Sequence, residues 1–160
     1  MTKPIIILGG GGHAKVLLDL LLSCGREVAG IADPALPQGL YGISNIRVLG
    51  GDEIFDHFPP GTIELVNGVG SVGAVTTRRD LFNRFTKLNY PFATVRHPSS
   101  VASPHAALAE GCQIMAGAIV QALNQQKVNE LNEKNKALQA SEQKLEAGAT
   151  LLRASAAADL

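Results

Sequence analysis

The stretch from Pro4 to Leu22, PIIILGGGGHAKVLLDLLL, decides the fold. Its first part, Pro4 to Leu8, is an apolar and mostly β-branched run that glycines close, which is the pattern of a buried parallel strand. From His13 onward, apolar residues recur at helical spacing until Gly25 ends the run. A strand, a glycine loop and a helix in this order predict the opening unit of an α/β domain.

Further strands and helices alternate along the next 75 residues. A short helix is predicted after Asp52, which is a plausible N-cap, and a longer one from Thr76 to Leu88. Strands are predicted at 28–32, 47–49, 63–69 and 92–95. Because strands alternate with helices, we predict a small Rossmann-like parallel sheet with right-handed crossovers.

The glycine run after the first strand fits the pattern G-x-G-x-x-G/A, with Ala14 as its last member. Glycines let the backbone approach a phosphate, and the N–H groups at the start of the helix then hold it. A tight turn without a ligand is the simpler alternative. The candidate binding residues of this loop are Gly9, Gly10, Gly11, Gly12 and His13.

Other candidate residues follow the predicted strands at the same carboxyl edge of the sheet, where ligands of open α/β sheets bind. Asp33 ends the second strand and is placed to bind a ribose hydroxyl. His13 is predicted to bind a phosphate or a sugar, with a solvated or capping histidine as the alternative. Arg78 and Arg79 are predicted to lie on a solvated helix face.

A six-residue period begins after His97. Ala102, Leu108, Ile114 and Val120 are six residues apart. A hexapeptide period is typical of a parallel β-helix, in which three steps make one coil of about 18 residues. The sequence therefore predicts one truncated β-helix coil, with two ordinary β-arches as the alternative.

The composition changes near residue 121. Beyond it the chain has a single glycine, no proline and no aromatic residue, and leucines recur every seven residues. They are Leu131, Leu138, Leu145 and Leu152. This spacing predicts a long helix that can form a coiled coil, with Asn135 at an inward position that favours a dimer. A partly frayed single helix is the alternative.

These features predict three regions: residues 1–97, 98–121 and 122–160. The first is the nucleotide-binding domain, the second the start of the β-helix and the third the helical tail. The compositional break indicates a fusion or a truncation near residue 121.

Charge and composition exclude several classes of function. Basic and acidic residues balance at 14 each, which disfavours a nucleic-acid partner. No apolar run approaches the roughly 20 residues of a membrane helix, and the first residues lack the regions of a signal peptide. The two cysteines form no disulfide framework, and the spacing of the histidines indicates no metal site. We therefore expect a cytoplasmic protein.

Five segments together resemble a known family, over residues 1 to about 121. They are IIILGGGGHAKV from Ile5, IADP from Ile31, VNGVGS from Val66, HPSSV from His97 and EGCQIMAGA from Glu110. The family is that of the sialic-acid O-acetyltransferases and UDP-bacillosamine N-acetyltransferases.

The resemblance implies a Rossmann-like domain that binds a nucleotide-linked sugar, usually a UDP-sugar, followed by a left-handed β-helix. The β-helix would form a trimer and bind the co-substrate acetyl-CoA between subunits. The Gly9–His13 loop would surround and bind the nucleotide sugar, and Asp33, Gly70 and Ser71 would flank its base and ribose. The implied function is acetyl transfer to an amine or hydroxyl in surface glycan biosynthesis.

This sequence departs from the family pattern in one respect. The family has its general-base histidine in the coil beyond the present Val120, and this chain has no histidine after His105. We therefore assign no catalytic residue and expect these 160 residues alone to be inactive. Two alternatives remain: a sugar-nucleotide-binding module that a coiled coil assembles, and a NAD-type Rossmann domain with Asp33 on the adenosine ribose.

Overall fold

The computed structural model of the protein describes residues 2–41, 45–70, 75–122, 130 and 132–145. The chain divides into two compact units. One unit contains Met1–Ser103 and Leu108–Val120, and the other contains Pro104–Ala107 and Gln121–Leu160. The predicted regions 1–97, 98–121 and 122–160 stay a prediction.

The first unit is a mixed α/β structure. Its helices are α1 (Gly12–Ser23) and α2 (Val75–Lys87), with a 3-10 helix at Asp52–Asp56. Its strands are β1 (Ile5–Leu8), β2 (Val28–Ala32), β3 (Gly39–Leu40), β4 (Arg47–Gly50), β5 (Glu64–Asn67), β6 (Val95–Arg96), β7 (Val101–Ala102), β8 (Gln113–Ile114) and β9 (Ile119–Val120).

Five of these strands form one sheet in the order β3-β4-β2-β1-β5. The pairs β4–β2, β2–β1 and β1–β5 are parallel, whereas β3 runs antiparallel to β4 at the edge. The chain moves outward from β1 through β2 and then returns to the other side of β1 with β5. The order therefore reverses at β1, and a ligand crevice is expected outside the carboxyl ends of β1 and β5.

Residues of β1 alternate between two hydrophobic clusters, one on each face of the sheet. Ile5 and Ile7 pack with the buried face of α1, and Ile6 and Leu8 pack in a cluster that contains Phe85. All four β1 residues are buried. This burial on both faces explains why the strand is uniformly apolar, and it confirms the predicted Rossmann-like sheet.

Two local predictions differ from the structure. Of the predicted strand at 92–95, Phe92 forms a single bridge to Leu65 of the large sheet and the Ala93 N–H donates to the Leu65 carbonyl oxygen over 2.9 Å, whereas Val95 pairs with Gln113. The N-cap of the 3-10 helix is Gly51 rather than Asp52. The Asp52 carboxylate lies 2.6 Å from a guanidinium nitrogen of Arg84 and is therefore used in an ion pair.

The four short strands β6 to β9 form two parallel pairs. Val95 pairs with Gln113 and Val101 pairs with Ile119, so partners are 18 residues apart in both pairs. This offset equals the predicted length of one coil. Gly111 has φ +74° and Gly117 has φ +70°, a backbone conformation that favours glycine. The hand of the coil and its identity as a β-helix stay predictions.

In the second unit, residues 132–145 are helical and every described side chain of this stretch is exposed. Leu138 is 59% exposed and Leu145 is 71% exposed. The other two leucines of the seven-residue repeat, Leu131 and Leu152, lie outside the described residues. Among the helices of the described ranges, none has the length and apolar character to cross a membrane.

Candidate functional site

Close packing limits which residues can occupy the first two positions of the glycine loop after β1. Gly9 has φ +84°, and a Cβ there would lie 3.0 Å from a methyl carbon of Val69. A Cβ on Gly10 would collide with the side chain of Leu36. Gly9 is therefore required by the fold, whereas a side chain at Gly10 would require the end of the flexible Leu36 side chain to move.

Gly68, which follows β5, is packed still more tightly. A Cβ there would lie 2.6 Å from the carbonyl oxygen of Gly9 and 2.9 Å from that of Leu8. Because the obstructing atoms belong to the backbone, they cannot move aside as a side chain would. The ends of β1 and β5 thus meet through glycines at the point where the strand order reverses.

Asp33 and Tyr41 hold the glycine loop from outside. The Gly10 N–H donates to Asp33 Oδ2 over 2.7 Å, and the Ala35 N–H donates to Asp33 Oδ1 over 2.8 Å. The Tyr41 hydroxyl donates to the carbonyl oxygens of Gly10, over 2.6 Å, and Gly11, over 3.2 Å. Burial, and then the nearby Asp33 carboxylate, raise the pKa of Tyr41, so its hydroxyl keeps the proton that it donates.

The other two glycines face open space. A Cβ on Gly11 or on Gly12 would meet nothing within 4 Å. Gly11 is the N-cap of α1 and has no side chain to cap it, none of the side chains in the described ranges bonds the first N–H groups of the helix, and its first turn contains no acidic residue. The N–H groups at the start of α1 are therefore available to an anion, which the positive end of the helix would attract.

A cavity of about 310 Å³ lies at the carboxyl ends of β1 and β2. Gly9 and Asp33 belong to its wall, and the ion pair between Asp52 and Arg84 also borders it. The remaining wall is mostly apolar and includes Leu8, Ala32, Pro34, Phe55, Val69, Leu81 and Phe85. An apolar cavity of this size with a few polar groups is typical of a small-molecule site.

His13, in the first turn of α1, belongs to a hydrogen-bond network that joins four elements. Its Nε2 lies 2.9 Å from Gln113 Oε1, and the same oxygen accepts a hydrogen bond of 2.9 Å from Arg78. Arg78 also donates to the carbonyl oxygens of Asn67, over 3.0 Å, and Val69, over 2.6 Å. Burial lowers the pKa of this guanidinium.

The structure brings several of the sequence-predicted residues together at the carboxyl ends of the strands. Asp33 bonds the glycine loop through the Gly10 N–H and lines the cavity together with Gly9, whereas His13 bonds Gln113 instead. The Cβ of His13 lies 3.7 Å from the position that a Cβ on Gly70 would take. Ser71 lies outside the described residues.

Three residues that bond the glycine loop or extend the His13 network gave no signal in the sequence. Tyr41 lies in a turn-rich segment with no pattern, and Gln113 is 100 residues from His13. Arg78 was predicted to be solvated, yet it donates three hydrogen bonds, to the carbonyl oxygens of Asn67 and Val69 and to Gln113. An arginine in the polar first turn of a helix gives no signal of its own. Among the described residues, no group of three or more His, Cys, Asp or Glu side chains is placed to hold a metal ion.

The fold is similar to that of solved sugar acetyltransferases. One is a perosamine N-acetyltransferase variant from Caulobacter crescentus in complex with CoA and GDP-perosamine, with 31% identity and a TM-score of 0.65 over 76% of this chain. Another is the acetyltransferase domain of PglB from Neisseria gonorrhoeae, with 25% identity and a TM-score of 0.66 over 76% of this chain. This chain spans 56% and 57% of those two chains, respectively.

No curated protein shows significant sequence similarity to this chain. The family model of the PglD N-terminal domain matches residues 4–85, which contain β1 to β5, the glycine loop, α1 and most of α2. The match therefore covers about half of the chain and the whole large sheet. By this match and its fold, the chain belongs to the family of the PglD N-terminal domain and is homologous to sugar N-acetyltransferases that act on nucleotide sugars.

Proposed function

We propose that this chain binds a nucleotide-linked sugar in the crevice between the glycine loop and the 310 Å³ cavity. One observation carries the proposal: Gly11 and Gly12 leave the start of α1 open, and Gly9 of the same loop lines the cavity. A helix start with free N–H groups suits a pyrophosphate. An apolar cavity next to it suits a base.

Each part of the ligand then has a partner. The diphosphate would receive hydrogen bonds from the first N–H groups of α1, and the base would lie in the apolar cavity. Asp33 already accepts two N–H groups, but a carboxylate has about four acceptor sites and can also accept a ribose hydroxyl. Gly70 and Ser71 would flank the base and ribose, as the family resemblance implies.

The proposed reaction of the whole protein is acetyl transfer from acetyl-CoA to an amine or hydroxyl of the sugar, in the synthesis of surface glycans. Acetyl-CoA would act as co-substrate and supply the acetyl thioester. The general base of such a reaction needs a pKa near neutrality, and these 160 residues contain no histidine beyond His105. We therefore propose that they bind the sugar nucleotide and do not transfer the acetyl group by themselves.

We also propose that the protein is a homo-oligomer and works in the cytoplasm. Val101 and Ile119 are paired neighbours, 61% and 72% exposed, and thus present apolar surface on β7 and β9. Leu138 and Leu145 are exposed on the tail helix. The family resemblance implies a trimer, whereas the heptad spacing with Asn135 favours a dimer.

The test is the thermal stability of the purified chain with separate additions of UDP- and GDP-linked amino sugars, NAD and acetyl-CoA. A ligand that binds only the folded state stabilises it, by about 2.7 kcal/mol at 100 times its dissociation constant. We expect a higher melting temperature with a nucleotide sugar and no change with acetyl-CoA. A rise with NAD alone would instead assign the glycine loop to a dinucleotide.

A further inference from the structure

The orientation of the Gln113 amide follows from its three neighbours. Its Nε2 donates to the carbonyl oxygen of Asn67 over 2.9 Å, and its Oε1 accepts from Arg78 over 2.9 Å. A carbonyl oxygen can only accept, and a guanidinium can only donate. With the amide reversed, donor would face donor and acceptor would face acceptor, so only one orientation satisfies the network.

This orientation determines which nitrogen of His13 carries hydrogen. His13 Nε2 lies 2.9 Å from the Gln113 oxygen, and that oxygen can only accept. His13 Nε2 must therefore carry a hydrogen, so the neutral ring has its lone pair on Nδ1. Within the described part of the chain, His13 Nδ1 makes no hydrogen bond.

We infer that Gln113, held by Arg78 and Asn67, is a positioning residue that keeps His13 in the Nε2–H form, so that Nδ1 accepts a hydrogen bond from a sugar hydroxyl or amine. A phosphate oxygen is itself an acceptor and does not suit a neutral Nδ1. The phosphates instead have the N–H groups of α1, which can only donate. The inference about the ligand rests on the proposed function, whereas the inference about the ring does not.

The first experiment needs no ligand. Long-range proton–nitrogen NMR on the full chain, at about pH 8 where histidine is ordinarily neutral, identifies the protonated nitrogen of each ring. A His13→Asn variant assigns the His13 signals among those of the four histidines. We expect hydrogen on Nε2 and an Nε2–H proton that exchanges slowly with water. Hydrogen on Nδ1 would overturn the inference.

Substitutions of Gln113 separate positioning from general structure. Gln113→Leu removes the acceptor, so the slow Nε2–H signal should disappear. Gln113→Glu loses the bond to Asn67 but keeps an acceptor for both His13 and Arg78, so it should retain the signal. It also tests the role of the acceptor if the leucine variant fails to fold. Gln139→Leu, on the exposed tail helix, is the matched control and should change nothing. An unchanged His13 signal in Gln113→Leu would contradict the role of Gln113.

The second experiment compares a nucleotide sugar with the nucleoside diphosphate that lacks the sugar. Gln113→Leu should weaken binding of the nucleotide sugar about five-fold, as expected for the loss of one hydrogen bond, and should leave binding of the diphosphate unchanged. Equal weakening of both ligands would place His13 on the phosphates and overturn the sugar contact. If the wild-type chain binds no nucleotide sugar, the proposed function fails together with the sugar contact, and the ring assignment is judged by NMR alone.

Discussion

The sheet unit and the tail helix use leucine in opposite ways. In the sheet unit, Leu17 and Leu18 of α1 are fully buried against the sheet. On the tail helix, Leu138 and Leu145 are mostly exposed. The sheet unit therefore contains its own hydrophobic core, whereas the described tail helix has none, and its leucines can stabilise it only against a partner.

Paired leucine substitutions test this difference, and they have the largest expected effect. Leu17→Ala should lower the free energy of unfolding by about 3 kcal/mol, because it leaves a cavity in the core. Leu138→Ala should change that of the sheet unit by less than about 0.5 kcal/mol. Denaturant unfolding measures both values. Equal losses would contradict the view that only the sheet unit has a core, and sedimentation would show whether Leu138→Ala weakens assembly instead.

Two glycines sharpen the comparison within the crevice itself. Gly68→Ala should destabilise the protein by about 2–3 kcal/mol, because its Cβ would press on the backbone oxygens of Gly9 and Leu8. Gly12→Leu should leave stability nearly unchanged, because its side chain would enter open space and leucine favours a helix. Thermal unfolding of the two variants and the wild type measures these differences in stability. A destabilised Gly12→Leu would show that the glycine loop is closed on that side.

Tyr41 tests how firmly the loop is held. Tyr41→Phe should lower stability by about 1 kcal/mol, since the Gly10 carbonyl loses its donor. The raised pKa of Tyr41 also has a consequence for pH dependence. Its stabilisation is present below the unfolded pKa of about 10 and is lost as the pH rises through the higher folded pKa. Unfolding curves at neutral and alkaline pH should therefore show a smaller decrease for Tyr41→Phe than for the wild type, with Tyr90 contributing in both.

The ion pair at the border of the cavity should have the smallest effect. Asp52 and Arg84 are about half exposed or more, with side-chain exposures of 63% and 48%, so solvent screens their attraction. Asp52→Asn should change the free energy of unfolding by less than about 1 kcal/mol, and less still at high salt. A loss of several kcal/mol would show that this border contributes to the core.

Local patterns predicted the large sheet because its signals are contained in short segments. Ile5 to Leu8 are uniformly apolar because both faces of β1 are covered, and the glycine loop and helix follow at once. The segment at 92–95 was predicted as a strand of the large sheet, but an apolar run does not show which sheet it joins. Val95 pairs with a strand 18 residues later, and only the fold shows that pairing.

The part of the candidate site that lies within one loop could be proposed from the sequence, whereas contacts between distant segments could not. Gly9 to His13 and Asp33 follow from the strand–loop–helix pattern. The contact between His13 and Gln113 spans 100 residues, and that between Arg78 and Gln113 spans 35. A lone glutamine in a short repeat and an arginine in a polar helix carry no signal for such a contact.

The central claim is that the open side of the glycine loop holds a nucleotide-linked sugar. Calorimetric titration of a UDP- or GDP-linked amino sugar into the wild-type chain and into Gly12→Leu tests it most directly. We predict binding to the wild type and at least about ten-fold weaker binding to the variant, which corresponds to about 1.4 kcal/mol, with both proteins equally stable. Equal affinity for the two proteins, or no binding to the wild type, would contradict the claim.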